Sequence, residues 1–542
     1  MRWTTPCRAL ALSLIALFFP GAYSQTNSPN QPQDVVQQSN QTLRSNTRLV
    51  VVDVVATDGK GQPVTDLKAS DFTLLEDGKT QKISGFNFEH PGGSPARVAQ
   101  VDLPPSVVTN APKFQSNSLN VILFDTVNGD FAEHAYARDQ LLKFLNSAEL
   151  GRPVAIFALQ AQLKLLHDFT TDASILKASV EKFKPQASSI SGETTNSRIS
   201  AFPTRGDYHT SERSIETTLN QLNALAKVLA GYPGRKNLIW LSESFPLTLF
   251  PETTTQLNMD GQSLKSAGNG PSAQENLHTA ASFKSYAVLV KKVSDSLMAA
   301  QVAVYPVDAG ALGKDDHLAS QHTMDNMAES TGGKSFKNSN DLVLGLRSSI
   351  EDGSTYYTLT YYPENKKWDG QFRTIQVKSA PGVSLRYREG YYALDPEKIN
   401  QENSDAVAES FSRSLELDAP SATQIVFQAQ VQPPSEKSGK VVVNFHIDPT
   451  TLAFEHKDGG VEYAHLSCTV WAYGKDKDKP TMSNGTVSAN LKTSEYQQVL
   501  QQHFLPCERQ LDLKPGTYAL RIGVLDRVTN KIGTASAQVV VP

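Results

Sequence analysis

Between residues 118 and 363, short apolar runs alternate with amphipathic segments, and this alternation constrains the fold more than any other feature of the chain. LNVILFD (119–125), NLIWLS (237–242) and VAVYPVD (302–308) are almost continuously apolar, which is typical of strands covered on both faces. One intervening segment carries apolar residues at helical spacing: Ile215, Leu219, Leu222, Leu225 and Leu229. Because parallel strands need crossover connections, usually helices, the pattern predicts a doubly wound, Rossmann-like α/β domain with a mostly parallel sheet.

Strand patterns without helices flank the α/β region on both sides. Residues 45–90 hold short β-branched runs broken by Asp-Gly and Gly-Lys-Gly turns, which predicts a small N-terminal β module. Residues 416–542 hold several segments in which apolar and polar residues alternate, separated by turns, which predicts an immunoglobulin-like C-terminal β-sandwich. The stretches 91–116 and 396–415 are rich in polar residues or in Pro and Gly, and they are interpreted as linkers.

These boundaries assign residues 117–395 to the α/β domain. The last two strands predicted in this range are TYYTLTYYP and FRTIQVKS. They follow the final predicted helix directly, so they are interpreted as a strand pair that closes the α/β domain.

The first two dozen residues have the features of a secretory signal peptide. A basic start with Arg2 and Arg8 precedes the apolar run 9–19, and the small residues after that run fit a cleavage site. Residues 1–24 are therefore predicted to be removed, an uncleaved anchor being the alternative, and the polar residues 25–44 are predicted to be a flexible lead-in. No later stretch reaches 18 apolar residues, so we expect a secreted or periplasmic mature chain without a transmembrane segment.

Side chains able to hold a ligand follow the predicted parallel strands. In an open α/β sheet, ligands bind at the carboxyl ends of the strands, where the strand order reverses. The first strand ends in DTVNGD (125–130), and a later strand ends in Ser-Glu-Ser (242–244). A loop between them holds SGETT (191–195). The sequence therefore predicts a polar site at this edge of the sheet.

This layout resembles a von Willebrand factor A (VWA) domain, and the chain more narrowly resembles the VWFA-related acidobacterial family of exported proteins. The resemblance rests on these segments: LVVVDVVATDGKGQPVTDLKASDFTLLEDGK, LNVILFDTVN, GRKNLIWLSESFP, YYTLTYYPENKKWDGQFRTIQVK and LRYREGYYA. It covers residues 47 to about 395, and the closing GTYALRIGVLDRVTNKIGTASAQVVVP fits the usual C-terminal sandwich of that family. The resemblance implies an exported protein whose VWA domain lies between two β modules.

The VWA resemblance also implies a metal-ion-dependent site, which the family builds from Asp-x-Ser-x-Ser, a loop Thr and a later Asp. In this chain Val127 and Gly129 stand where the two serines would be. The resulting degenerate ligand set is Asp125, Asn128, Asp130, Thr194 (or its neighbour Thr195) and Glu243. Mg²⁺ demands near-octahedral oxygen ligation, whereas Ca²⁺ accepts less regular sets. We expect no bound cofactor, with Asp125 capping the following helix; a Mg²⁺ or Ca²⁺ site is the alternative.

The sequence carries no motif of a known catalytic class. It contains no G-x-S-x-G, H-E-x-x-H, G-x-x-x-x-G-K-[ST] or G-x-G-x-x-G. His317 and His322 are five residues apart, so they do not share a helical face, and a solvated loop is the expectation. Ser174 and Lys177 have the spacing of a Ser/Lys nucleophile pair, but they lie at a predicted helix start, which favours capping. The protein is therefore expected not to be an enzyme.

Two cysteines remain once the signal peptide, with Cys7, is removed. Cys468 alternates with Leu466 and Val470, so it is predicted to point inward, and Cys507 precedes another strand. In an oxidising compartment a disulfide between Cys468 and Cys507 is predicted, and two buried free thiols are the alternative.

Export, the resemblance and the lack of a catalytic motif together predict a non-enzymatic binding or adhesion protein. Its partner would be a protein or an extracellular-matrix ligand. The 51 basic residues face 55 acidic ones, and a net charge of -4 gives no reason to expect nucleic acid. An assembly or chaperone-like factor of the cell envelope is the first alternative, and an exported hydrolase with an unrecognised site is the second.

Overall fold

The computed structural model describes the chain in fifteen ranges: 49–90, 96–97, 103–115, 118–128, 131–148, 150–184, 205–242, 293–309, 317–337, 341–393, 404–434, 439–457, 460–475, 479–502 and 504–542. The predicted signal peptide and polar lead-in lie outside these ranges. The strands in them are β1 (Val50–Thr57), β2 (Thr73–Glu76), β3 (Lys79–Gln81), β4 (Ile83–Glu89), β5 (Ala96–Arg97), β6 (Val107–Thr109), β7 (Phe114–Gln115), β8 (Ser118–Asp125), β9 (Val154–Leu159), β10 (Leu163–Thr170), β11 (Arg235–Ser242), β12 (Val302–Asp308), β13 (Tyr356–Tyr361), β14 (Phe372–Lys378), β15 (Ser384–Arg386), β16 (Gly390–Tyr392), β17 (Phe427–Gln432), β18 (Val441–Ile447), β19 (Glu455–Lys457), β20 (Val461–Tyr473), β21 (Thr481–Lys492), β22 (Leu505–Leu511), β23 (Gly516–Asp526) and β24 (Ile532–Val541). The helices are α1 (Phe131–Ser147), α2 (Ala173–Lys182), α3 (Arg205–Leu229), α4 (His317–Thr331), α5 (Leu342–Asp352), α6 (Ser404–Ser414) and α7 (Thr493–Gln502).

A five-stranded sheet forms the centre of the α/β domain, in the order β10-β9-β8-β11-β12. β9, β8, β11 and β12 are parallel, and β10 is an antiparallel edge strand next to β9. Every residue of β8, β9, β11 and β12 is buried, because helices cover both faces of the sheet. One face packs against α1, α2 and α5, and the other packs against α3 and α4. The predicted doubly wound, mostly parallel sheet is therefore present.

The face that α1 buries differs from the one the sequence suggests. Helical spacing in the sequence places Phe131 and Ala135 on one side of α1 with Leu142 and Leu145, but Phe131 is 62% exposed and Ala135 is exposed as well. The helix instead buries His134, Ala137, Leu141, Phe144 and Leu145. Phe131 is the first residue of α1, so it lies beyond the carboxyl ends of the strands, where the sheet does not cover it.

The strand pair assigned to the end of the α/β domain belongs elsewhere. β13 lies between β1 and β4, and β14 pairs with β2, so both strands complete the N-terminal β module. The module consists of two four-stranded sheets, in the orders β15-β1-β13-β4 and β16-β14-β2-β3. The physical reason is burial: the apolar face of β1 can be covered only when β13 and β14 bring Tyr357, Leu359 and Ile375 into the shared core. Residues 45–90 and 355–393 thus form one structural unit. Residues 355–393 therefore do not belong to the α/β domain, although the predicted range 117–395 included them.

Both predicted linkers also contribute structure. Within 91–116, β6 pairs with β17 of the C-terminal sandwich. The Asn110 side chain there donates to the carbonyls of Ala422 and Ile425, each at 2.7 Å, and accepts from the Phe427 amide. Within 396–415, α6 packs its apolar side against the same sandwich. Composition alone marked these stretches as connectors. The β-branched residues of β6 in the first and the amphipathic helix α6 in the second nevertheless give each stretch a buried face.

Two sheets face each other in the C-terminal domain, as predicted for residues 416–542, but helix α7 between β21 and β22 was not predicted there. One has the order β22-β18-β17-β6, and the other has the order β19-β20-β23-β24, with β21 paired to β20 on its outer side. The inward residues of both sheets form one apolar core. The alternation read from the sequence is visible in the burial of β17 and β18.

Thr423 joins the C-terminal domain to the end of helix α3. Its backbone amide donates to the carbonyl of Lys227 at 3.1 Å, and its hydroxyl donates to the carbonyl of Val228 at 2.6 Å. The Gly231 amide donates to the same hydroxyl at 2.8 Å. A Cβ on Gly231 would lie 2.3 Å from the Thr423 carbonyl oxygen, so only glycine permits this approach. The last carbonyls of α3, which a helix cannot satisfy itself, are therefore capped by another domain.

We expect Thr423→Ala to lower the free energy of unfolding by about 2 kcal/mol, because the buried Val228 carbonyl and Gly231 amide both lose a partner. Thr423→Ser, which keeps the hydroxyl, should recover most of that loss. Thr450→Ala is a matched control, since the Thr450 hydroxyl binds Asp448 at 2.7 Å on an exposed turn. Urea unfolding of the full chain measures all three variants, and equal losses in Thr423→Ala and Thr450→Ala would contradict the capping role.

Candidate functional site

The strand order of the α/β sheet reverses at β8. The chain continues from β8 to β9 on one side, whereas β11 and β12 lie on the other side. In open α/β sheets the crevice at such a reversal, outside the carboxyl ends of the strands, is where ligands bind. Asp125 ends β8 and Ser242 ends β11, so both stand at this point.

Five hydrogen bonds converge on the carboxylate of Asp125. Oδ1 accepts from the backbone amides of Val127 at 2.9 Å and Asn128 at 3.0 Å. Oδ2 accepts from the Asn128 side-chain amide at 2.8 Å, from Trp240 Nε1 at 3.1 Å and from the Ser242 hydroxyl at 2.9 Å. The two amides belong to the turn that leads toward α1, whereas Trp240 and Ser242 belong to the neighbouring strand β11. Asp125 therefore fastens the β8 turn to β11.

The environment of Asp125 leaves little capacity for another ligand. Its exposed fraction is 2%, and burial raises its pKa above the ordinary value, although the bonds from Asn128, Val127 and Ser242 oppose that shift. A carboxylate offers about four lone-pair directions, and five donors already occupy them. A cation at this carboxylate would have to displace donors that are themselves buried.

Asn128 presents a donor rather than an acceptor to Asp125. Its side-chain nitrogen also lies 3.1 Å from the hydroxyl oxygen of Thr218 on α3, and its backbone carbonyl lies 3.2 Å from His134 Nε2 on α1. These contacts connect the β8 turn to helices on both faces of the sheet. The side chain and carbonyl of Asn128 thus hold the turn in the described structure.

The remaining predicted ligands, Asp130, Thr194 (with Thr195) and Glu243, lie outside the described residues, so their role stays a prediction. Within the described ranges, no group of three or more His, Cys, Asp or Glu side chains could hold a metal ion. Of the predicted set, Asp125 and Asn128 are the two residues that the structure describes, and they lie in hydrogen-bond contact.

Trp240 and Thr218 are members of this site that the sequence did not indicate, whereas Ser242 was expected at this edge of the sheet and joins them as a donor to Asp125. In the parallel pairing of β11 with β8, Trp240 stands opposite Leu123 and Leu241 opposite Phe124, which places Ser242 level with Asp125. Trp240 and Ser242 are two residues apart and so share a face of β11. That spacing was the available signal, but the indole reads as ordinary core inside an apolar run.

The two weaker constellations have structural roles where they are described. The Asp172 carboxylate caps α2 by accepting from the amides of Ser174 and Ile175. Lys177 forms its ion pair with Glu181, 3.6 Å away on the next turn. His317 and His322 lie in α4 rather than in the predicted loop, and only their backbone is described. The Ser/Lys spacing thus reflects a helix start, as expected.

Two large apolar side chains are exposed in the helix layer at the same end of the sheet. Phe131 begins α1, directly after the β8 turn, and Leu344 lies in the first turn of α5, 56% exposed. Both helices start at the carboxyl ends of the parallel strands and pack against each other. Ile175, also exposed, starts α2 at the opposite end of the sheet, because the preceding β10 runs antiparallel.

Comparison with known proteins identifies no family. No protein-family model matches the chain, and no curated protein matches it. Among solved structures, an aerotolerance-related membrane protein from Bacteroides fragilis is similar over 44% of this chain and 98% of its own, with 10% identity and a TM-score of 0.23. The vWF domain of the type V pili tip protein Mfa5 from Porphyromonas gingivalis matches 43% of this chain and 93% of its own, with 12% identity and a TM-score of 0.25.

A third similar structure is the manganese-loaded TRAP protein from Plasmodium vivax. It covers 52% of this chain and 95% of its own, with 10% identity and a TM-score of 0.23. No helix among the described residues is long and apolar enough to cross a membrane.

Proposed function

We propose that this chain is an exported, non-enzymatic binding protein of the VWFA-related acidobacterial type, with a metal-independent ligand surface at the carboxyl ends of its parallel strands. The observation that carries the proposal is the hydrogen-bonding of Asp125. In a cation-dependent site this carboxylate would leave an oxygen for the metal, whereas here both oxygens accept from the β8 turn and from β11. Asp125 keeps its position at the end of β8, but uncharged hydrogen-bond donors occupy the oxygens that a cation would need.

The exposed side chains around this network suit recognition of a protein. Phe131 and Leu344 project from the first turns of two adjacent helices, and neither belongs to the core that those helices bury. Aromatic side chains are enriched in protein interfaces, and an aromatic or aliphatic side chain held on a rigid element serves as the central anchor of a binding surface. We therefore place the ligand contact at the first turns of α1 and α5, with a partner protein in the secreted or periplasmic space.

A binding role rather than catalysis is supported by the chemistry at the strand ends. Four of the described polar groups there, Asp125, Asn128, Thr218 and Ser242, bind one another. A general acid, base or nucleophile must be able to reach a substrate, and these groups are committed to holding the turn. A non-enzymatic surface accounts for this arrangement directly.

The double substitution Phe131→Ser/Leu344→Ser should abolish partner capture by the mature full-length chain, because it removes both apolar anchors without touching the core. The measurement is affinity capture from the native secreted and envelope fractions, with and without EDTA, followed by mass spectrometry of the bound proteins. Ile175→Ser is the matched control, since it removes an apolar side chain that is also exposed, at 44%, but lies at the opposite end of the sheet. We expect one set of proteins to be captured by the parent chain and by Ile175→Ser, to be lost in the double variant and to be unaffected by EDTA.

Two outcomes would contradict this function. Capture that survives the double substitution would place the interface elsewhere, and capture that EDTA abolishes would restore a cation-dependent contact. Thermal unfolding of each variant should stay close to that of the parent chain, because exposed apolar side chains contribute little to stability.

A further inference from the structure

The two cysteines of the C-terminal domain meet across its core. Cys468 lies in the middle of β20, and Cys507 lies on β22 of the opposing sheet. Both side chains are buried, and the two thiols are hydrogen-bonded to each other. Two sulfurs in contact, 39 positions apart in sequence, are placed to form one covalent bond between the two sheets.

Arg509 brings a cation to this thiol pair. It lies two residues beyond Cys507 on the same strand, so both side chains are on one face of β22. Its Nε donates to the Cys468 carbonyl at 3.0 Å, and its Nη1 donates to the Glu508 carbonyl at 2.7 Å. The buried Nη2 has no acceptor among the described residues. One donor of a guanidinium beside two thiols is thus left without a protein partner.

Gly485 makes room for the guanidinium. On β21 it pairs directly with Cys468, and a Cβ there would lie 2.5 Å from Arg509 Cζ. Any larger residue would push the arginine away from the sulfurs. The glycine, the arginine and the two cysteines therefore form one local arrangement.

The arrangement makes the two thiols unequal. The hydrogen bond that Cys468 donates lowers the pKa of Cys507, and Arg509 lowers it further against the effect of burial. The same hydrogen bond, together with burial, raises the pKa of Cys468. A cation next to a thiol favours the thiolate, which is the nucleophile in disulfide chemistry. Cys507 is accordingly the thiol that loses its proton more readily, and Cys468 is the one that keeps it.

Cys507 is also the more accessible of the two sulfurs. Its strand β22 is the outer strand of its sheet and pairs with β18 on one side, whereas Cys468 is flanked by β21 and β23. Cys507 is 7% exposed and Cys468 is fully buried. An oxidant in solvent therefore reaches Cys507 before Cys468.

We propose that Cys468, Cys507 and Arg509 form a dithiol centre that is oxidised by exchange with an external disulfide. The Cys507 thiolate attacks one sulfur of that disulfide, forms a mixed disulfide and expels the first thiolate. The Cys468 sulfur then gives up its proton to that thiolate, attacks Cys507 and expels the second thiolate, which is protonated from solvent. The protein dithiol is oxidised by two electrons, the external disulfide is reduced to two thiols, and the new bond joins β20 to β22.

The test uses the reduced full chain, freed of reductant, with oxidised glutathione as the disulfide. Peptide mass spectrometry without reduction should find the Cys468 and Cys507 peptides linked. Cys468→Ala should accumulate a glutathione adduct on Cys507, because no second thiol resolves it, whereas Cys507→Ala should leave Cys468 unmodified. Two alkylatable thiols in the folded treated chain, or an adduct on Cys468 in Cys507→Ala, would overturn the proposal.

Arg509→Gln tests the role of the cation. This variant should oxidise more slowly than the parent chain, because less of Cys507 is present as thiolate. A tenfold smaller thiolate fraction slows the reaction only about threefold, since a more basic sulfur is also a better nucleophile. Arg509→Lys should keep most of the parent rate. Arg527→Gln is the matched control: Arg527 Nε binds the Ser467 hydroxyl at 2.6 Å, and Ser467 faces away from Cys468 on β20. Equal rates in Arg509→Gln, Arg527→Gln and the parent chain would remove Arg509 from the centre.

Discussion

Asp125→Ala should lower the free energy of unfolding by about 3–5 kcal/mol. The substitution leaves five donors without this acceptor, and each donor that finds no other partner costs about 1–3 kcal/mol. The Val127 amide and the Trp240 indole cannot turn to new partners, because a backbone and a packed ring hold them. The measurement is chemical unfolding of the full chain, followed by tryptophan fluorescence.

Asp172→Ala is the control for the Asp125 substitution. Asp172 also accepts from two backbone amides, those of Ser174 and Ile175, but it does so on the surface, where water replaces a lost acceptor. Its loss should be several times smaller than that of Asp125→Ala. Similar losses in the two variants would show that the strand-end network contributes no more than an ordinary helix cap.

Mg²⁺ in millimolar amounts should move the melting midpoint of the full chain by less than about 1 °C. A cation that binds only the folded state would stabilise it by about 2.7 kcal/mol at a hundredfold excess over its dissociation constant, and a large domain moves about 2–4 °C per kcal/mol. The occupied oxygens of Asp125 give no reason to expect such binding. A shift of several degrees that is present in the parent chain and absent in Asp125→Ala would establish a cation site.

Local patterns in the sequence were sufficient to predict the α/β sheet. The almost continuously apolar runs of β8, β11 and β12 are buried on both sides only in a sheet that is covered on both faces, and they lie in such a sheet. The spacing of the leucines on α3 likewise gave the buried face of that helix. Position at the end of a strand also placed Asp125 at the site, since the end of a run is visible in one segment alone.

The pairing of strands that are far apart in the sequence could not be predicted from the same patterns. Alternation in β13 shows that the strand has two faces, but it does not show that its neighbours are β1 and β4, which lie nearly 300 residues earlier. The hydrogen bond from Trp240 to Asp125 could not be predicted for the same reason. An indole in an apolar run reads as core, and its N–H reaches the carboxylate only because of the register between β11 and β8.

Glu76→Ala should destabilise the chain by about 3–5 kcal/mol, the cost of removing one partner from a buried ion pair. Glu76 on β2 and Arg373 on β14 are both 2% exposed, and Glu76 Oε1 lies 3.3 Å from Arg373 Nη1. Glu76 Oε2 accepts from the hydroxyls of Tyr361 at 2.7 Å and Tyr391 at 2.8 Å. The substitution would leave a buried guanidinium and two buried hydroxyls without their acceptor. Urea unfolding of the full chain measures the loss.

A double-mutant cycle separates the charge from the packing. Arg373 also donates to the Asn365 carbonyl at 2.7 Å and stacks on Trp368, so Arg373→Met alone leaves the Glu76 charge buried while it keeps most of the apolar contact. When both charges are removed, in Glu76→Leu/Arg373→Met, no uncompensated ion remains, and replacement of a buried pair by apolar residues is often neutral. We expect the double variant to lose less than either single variant. Losses that simply add would mean that β2 and β14 are held by their packing alone. The non-additive result would show that residues 45–90 depend on a charge supplied from nearly 300 positions later in the chain, so that neither residues 45–90 nor the 117–395 fragment is a folding unit by itself.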